Sequence, residues 1–163
     1  MMSISITESR VILLHSFTLI GTSKTTSNTA EMSGNGIIAK QWENFYQNNI
    51  HAQILNKKDT SILALYTDYE SDETGSYTYA LGAQVEDTVD VPEGMEKIII
   101  PPAKYVVFTT SKGPLQEVSV EAWKYIWEWS KQNERAFLAD FEVYDERASD
   151  PQNAQVDIYI SIK

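Results

Sequence analysis

The residues whose types and spacing could do chemistry gather toward the C-terminal end of the chain. In Phe137 to Tyr144, FLADFEVY, two carboxylates and a tyrosine fall on alternate positions: Asp140, Glu142 and Tyr144. In a strand, alternate residues share a face. The closing stretch, Gln155 to Ile162 (QVDIYISI), alternates too, with Val156, Ile158, Ile160 and Ile162 on one side and Asp157, Tyr159 and Ser161 on the other. If the isoleucine side is the core and Phe141 and Val143 share it, Glu142 falls on the opposite face with Tyr144 and Tyr159. The same parity in Ser61 to Tyr69 turns Tyr66 inward with Phe141 and leaves Thr67 and Tyr69 on the Glu142 face. Tyr77 and Tyr79 lie on a strand whose side is open.

A tyrosine offers a large apolar body with a polar tip, so several around one carboxylate suit a flat or lipophilic guest. A cation would gain from the ring faces and the negative charge together. In a closed cleft, desolvation would raise the pKa of Glu142, which is also the condition for acid or base chemistry. The same alternation fits an ordinary solvated sheet face with cross-strand tyrosine pairs.

Other chemistries lack their residues. There is no cysteine, so disulfides, thiol catalysis and cysteine zinc sites are excluded. His15 and His51 are isolated and make a poor metal site. No glycine-rich phosphate loop or nucleophile-elbow motif occurs, and the acidic run DYESDE lacks calcium-loop spacing and reads as a hairpin turn. Neither a cofactor nor a metal is expected. The net charge of −10, from 13 basic and 23 acidic residues, disfavours direct contact with nucleic acid. The start, MMSISITESR, has no basic segment leading into an apolar one, and no run approaches a membrane span, so a soluble cytoplasmic protein is expected.

Two series of elements must position these residues. Val11 to Thr26 reads as one long or kinked strand, with Gly21 a candidate bulge. SNTAEMSGNG reads as a loop. IIAKQWENFYQNN has helical spacing, with Ile38, Trp42, Phe45 and Tyr46 on one face. Ser61 to Tyr69 and Tyr77 to Val85 form a hairpin across ESDETGS, and EDTVDVPEGM joins two halves. The order then recurs. Glu96 to Lys112 is strand-like but bent at Pro101-Pro102. Leu115 to Gln132 is helical, with Val120, Trp123, Ile126 and Trp127 on one stripe, and two strands follow. LALYTDY aligns with LADFEVY, and LIGTSK with VFTTSK. The expectation is an α+β fold of tandem duplicated strand–helix–strand–strand units with pseudo-twofold symmetry and antiparallel sheets. The repeats run from about 9 to 86 and from about 96 to 163 in one domain spanning 1–163. Helices would cover one face, and a cleft would form on the opposite side, where the halves meet.

The stretches YTDYESDETGSYTYALGAQV, VPEGMEKIIIPPAKYVVFTTSKGP, EAWKYIWEWSKQ and ADFEVYDERASDPQNAQVDIYISIK resemble the GyrI-like, or bacterial effector-binding, domain, over about Ser9 to Lys163. This domain is appended to AraC-type and MerR-type regulators and also occurs alone. The resemblance implies a ligand pocket between the halves, with Glu142 of FEVY as the acid that meets aromatic, cationic or lipophilic ligands and Tyr144 as its neighbour. Trp123 and Trp127, in the matching helix segment, would be core or pocket edge. No basic recognition helix is read in the chain, and no helix-turn-helix is expected before Ser9.

The expected function is therefore a stand-alone small-molecule binding protein with Glu142, Tyr144, Tyr69, Tyr159, Trp123, Trp127 and Tyr105 as ligand-binding residues. Its ligand would be a small organic molecule such as a lipophilic cation, with a link to transcription regulation or compound sensing and a protein partner left open. Two alternatives stand beside it. One is a hydrolase of reactive small molecules, with Glu142 activating water and Tyr144 or Tyr105 donating to the leaving group. The other is an acidic inhibitor of a partner such as gyrase.

Overall fold

The computed structural model describes residues 6–34, 36–71, 74–86 and 90–163, with the side chains from residue 9 onward. The acidic turns read at ESDETGS and EDTVDVPEGM fall partly on Asp72, Glu73 and residues 87–89, outside the described residues.

The chain is an α+β fold built on one antiparallel sheet. Its elements run β1 (Ile6–Leu14), β2 (Phe17–Ser27), α1 (Asn28–Met32), α2 (Ile38–Gln47), α3 (Ile50–Gln53), β3 (Ile62–Thr67), β4 (Ser76–Val85), β5 (Glu96–Ile100), β6 (Ala103–Thr110), α4 (Leu115–Ser130), β7 (Ala139–Tyr144) and β8 (Asp157–Ile162), with a 3₁₀ turn at Glu146–Ala148. The strand order is β1-β6-β8-β7-β3-β4-β2-β5. It reads the same from either edge once the halves are exchanged: β2, β4 and β3 mirror β6, β8 and β7 about the β3–β7 junction. Each half also receives an edge strand from the other, since β1 pairs with β6 while β5 pairs with β2.

That exchange corrects the reading of Val11 to Thr26 as one strand. The chain breaks at His15 and Ser16, and its two arms pair with different halves. Pro101-Pro102 marks the equivalent break in the second half; the first has no proline to signal it. Gly21 is not a bulge. It pairs in regular register with Gly82, and a Cβ on either residue would strike the opposing backbone. The stretch read as a loop after β2 carries α1, whose N-terminus is capped by Ser27 Oγ accepting from the Ala30 N–H at 3.1 Å.

The sheet is curled. Phe17 on β2 and Phe141 on β7 are separated by two intervening strands, yet their ring centroids lie 5.3 Å apart. Flat strands at about 4.8 Å spacing would hold them roughly 14 Å apart. The concave face closes over a core of Leu19, Leu63, Leu65, Tyr105 and Phe141. Helices cover the convex face. Val118, Ala122 and Ile126 are the buried stripe of α4, which packs on Phe108, Val156, Ile158 and Ile160. Helix α2 buries Phe45 and Gln41, and the Gln41 amide donates to the Thr22 and Tyr79 carbonyls at 3.0 and 3.1 Å, pinning the helix to the sheet. Val120 and Tyr46 are exposed, so the sequence stripes on these helices are each rotated slightly from the true buried face.

Because both faces of the sheet are buried, apolar alternation does not identify the core side. Glu142 pairs with Ile158 and shares its face, whereas Phe141 pairs with Tyr159 and Leu65. Tyr66 pairs with Asp140 and lies on the Glu142 face, not with Phe141. The cleft likewise lies on the helical face, between α2 and α4, while the opposite face is filled.

Candidate functional site

A cavity of about 460 Å³ opens between the halves. Helix α2 contributes Ile38 and Trp42, and α4 contributes Val120, Trp123 and Trp127. The sheet contributes Tyr66, Tyr77, Tyr79, Glu142 and Tyr144, with Tyr69 just beyond the end of β3. These walls are mostly apolar ring surface, and the size suits a small organic molecule.

Glu142 stands on the cavity's sheet wall and is 4% exposed. Its Oε2 accepts from Trp123 Nε1 at 2.6 Å and from the Tyr66 hydroxyl at 3.3 Å, and its Oε1 accepts from the Tyr144 hydroxyl at 2.7 Å. All three donors are neutral, and no cation among the described residues pairs with this carboxylate. Burial pushes its pKa above the usual carboxylate range, against the opposing effect of the three hydrogen bonds. Burial also pushes the hydroxyls of Tyr66, Tyr79 and Tyr144 well above 10, helped by the Glu142 charge, so they remain protonated donors.

The aromatic wall is braced as a unit. Trp42 Nε1 donates to the Tyr79 hydroxyl at 2.8 Å, and the Trp42 ring meets Tyr144 edge-on at 4.9 Å. Tyr66 touches Tyr79 and Trp123 at 5.1 and 5.3 Å. The other acid on the cavity wall, Glu31, caps α2, accepting from the Ile37 and Ile38 N–H groups at 2.9 and 3.3 Å.

Of the residues singled out in the sequence, the cavity gathers Glu142, Tyr144, Tyr69, Trp123 and Trp127. Tyr105 and Tyr159 lie on the concave face, where Tyr159 stacks on Phe141 at 4.4 Å and Tyr105 meets Phe141 edge-on at 5.4 Å. Tyr105 is a core residue, Tyr159 is half-buried against that core, and neither lines the cavity. The register of β7 against β8 puts odd-numbered residues of both strands on the concave side. Sequence reasoning missed Tyr66, Trp42 and Arg135 as cavity residues. Trp42 carried a usable signal, since it is the counterpart of the α4 tryptophans in the repeat. Among the described residues no group of histidine and acidic side chains is arranged to hold a metal, and no helix is long and apolar enough to cross a membrane.

A curled sheet of two exchanged halves, with an acid set in an aromatic cavity between their helices, defines the GyrI-like effector-binding class. Within it, the family described as Cass2, integron-associated effector binding protein, matches residues 10–162, and the chain belongs to that family. YobU of Bacillus subtilis (strain 168), named as a candidate transcriptional regulator, is 41% identical over 144 residues, which cover 88% of this chain and 90% of YobU. Transcriptional regulator BrlR of Pseudomonas aeruginosa is 32% identical over 130 residues, 77% of this chain; the match spans 46% of BrlR's own length. In fold, the chain is similar to SAV2435, solved bound to tetraphenylphosphonium, with a TM-score of 0.79 and 22% identity over 96% of this chain and 94% of that one.

Proposed function

We propose that this protein binds an aromatic or lipophilic cation in the cavity between α2 and α4, with Glu142 as the countercharge, and acts as a sensing or sequestering module for compounds of that kind. One observation carries the reading: Glu142 is a buried carboxylate with neutral hydrogen-bond donors and no cationic partner among the described residues. Such a group is costly to ionise unless a positive charge arrives with the ligand. The rings of Trp42, Tyr66, Trp123 and Trp127 supply the faces a lipophilic cation prefers. The likeness of fold to SAV2435 and the regulator names of the relatives support the reading. The net charge of −10 supports a reading in which any link to transcription runs through another chain or domain that responds to the liganded state.

The test is calorimetric titration of the wild type and Glu142→Gln with tetraphenylphosphonium. Saturable binding with at least about a tenfold loss in the variant is expected, equivalent to about 1.4 kcal/mol. Equal affinities would remove Glu142 from the site.

A further inference from the structure

Arg135 lines the same cavity, and its guanidinium is almost wholly enclosed, with the side chain 4% exposed. A guanidinium carries five N–H donors. This one makes a single side-chain hydrogen bond among the described residues, from Nη2 to Asp140 Oδ2 at 2.7 Å. Its Nε–H is buried without an acceptor among the described residues. One face is covered by the Phe137 ring, 4.4 Å from Cζ, and Phe137 holds a left-handed backbone (φ 52°) in the turn between Arg135 and β7.

The ion pair alone does not account for an arginine at this position. Asp140 already accepts from the Ser161 N–H at 2.7 Å, the Ser161 hydroxyl at 3.0 Å and the Tyr69 hydroxyl. A carboxylate so supplied needs at most a point charge, which a lysine would provide. The planar fork of arginine leaves donors over, and enclosed donors without acceptors are costly.

We infer that Arg135 is a second recognition point of the cavity and that it receives a neutral carbonyl-class acceptor carried by the ligand. This rests on the proposed cation site at Glu142. A neutral acceptor fits better than an anion because Asp140 offsets the guanidinium charge, and because Glu142 stands on the same face of β7 two residues along. The ligand class is thereby narrowed to aromatic cations bearing an amide, ester or ketone.

The probes are tetraphenylphosphonium and its derivative with one para-carboxamide, titrated calorimetrically into the wild type and into the double variant Arg135→Met, Asp140→Asn. The double variant removes both members of the ion pair, so no lone buried charge remains. The carboxamide is expected to bind the wild type about tenfold more tightly than the parent cation, the range of one charge-assisted hydrogen bond. That gap should vanish in the double variant. Equal affinities of the two probes for the wild type would overturn the inference while leaving the cation site standing, and this comparison does not depend on the variant folding. A gap that persists in the double variant would also overturn it. Failure of both probes to bind the wild type would overturn both readings.

Discussion

Trp123 Nε1 lies 2.6 Å from Glu142 Oε2, joining the middle of α4 to the centre of β7. The bond does two things. It ties the helix of the second half to the strand beside the β3–β7 junction, and it stabilises negative charge where burial opposes it. Trp123→Phe keeps most of the ring but deletes the donor. Loss of one hydrogen bond to a charged group should raise the Glu142 pKa further. The measurement is the pH midpoint of tetraphenylphosphonium binding, expected to move upward in the variant. An unmoved midpoint would mean that the tryptophan only packs.

The raised pKa of Glu142 has consequences of opposite sign for stability and for binding. In the unfolded chain the group titrates near 4.5, and in the folded protein burial makes it hold its proton to higher pH. The unfolded state therefore binds fewer protons in that interval. The stabilising contribution is complete below the unfolded value and is lost as pH rises through the folded one. Urea unfolding of the ligand-free protein from about pH 4 to about pH 8 should record that decline, and Glu142→Gln should flatten it. Cation affinity should instead rise with pH as the carboxylate ionises, with proton release on binding. Calorimetry in buffers of different ionisation enthalpy measures that release; none detected at a pH below the binding midpoint would refute the linkage.

The duplicated order of elements was legible because each half repeats its apolar frame and its aromatic helix. Glu142, Tyr144 and Tyr69 were read from strand parity, and Trp123 and Trp127 from the resemblance to the family; the cavity brings the five together. The faces were not legible. Parity locates a core only when one side of a sheet is wet, and the curl of this sheet buries both, so Phe141 and Ile158 are each core on opposite sides. Arg135 was hidden for a different reason. A lone arginine in a polar turn reads as a surface residue, and only the fold reveals that Asp140 and Phe137 draw it inward.

Tyr105 gives a direct check on that correction. It is fully buried on the concave face, and its hydroxyl has no hydrogen-bond partner among the described residues. Removing an unsatisfied buried hydroxyl while keeping the ring should stabilise the fold, and Tyr105→Phe is expected to gain about 1 kcal/mol in urea unfolding. Tetraphenylphosphonium affinity should not change, since the sheet separates this ring from the cavity. A loss of affinity would return Tyr105 to the site.

Gly21 and Gly82 let the backbones of β2 and β4 approach closely. They face each other across β2 and β4, and a Cβ on Gly82 would overlap the Ile20 carbonyl oxygen and stand 2.9 Å from Gly21 Cα. Backbone on both sides leaves nothing flexible to yield, so Gly82→Ala must push the two strands apart. The expected cost is roughly 3 kcal/mol, at the upper end of ordinary single substitutions. The effect should reach the ligand, because β4 also carries Tyr77 and Tyr79 into the cavity. At a denaturant concentration where the variant is still folded, tetraphenylphosphonium affinity should fall by several-fold along with stability. A stable variant with full affinity would mean that the strands separate freely here.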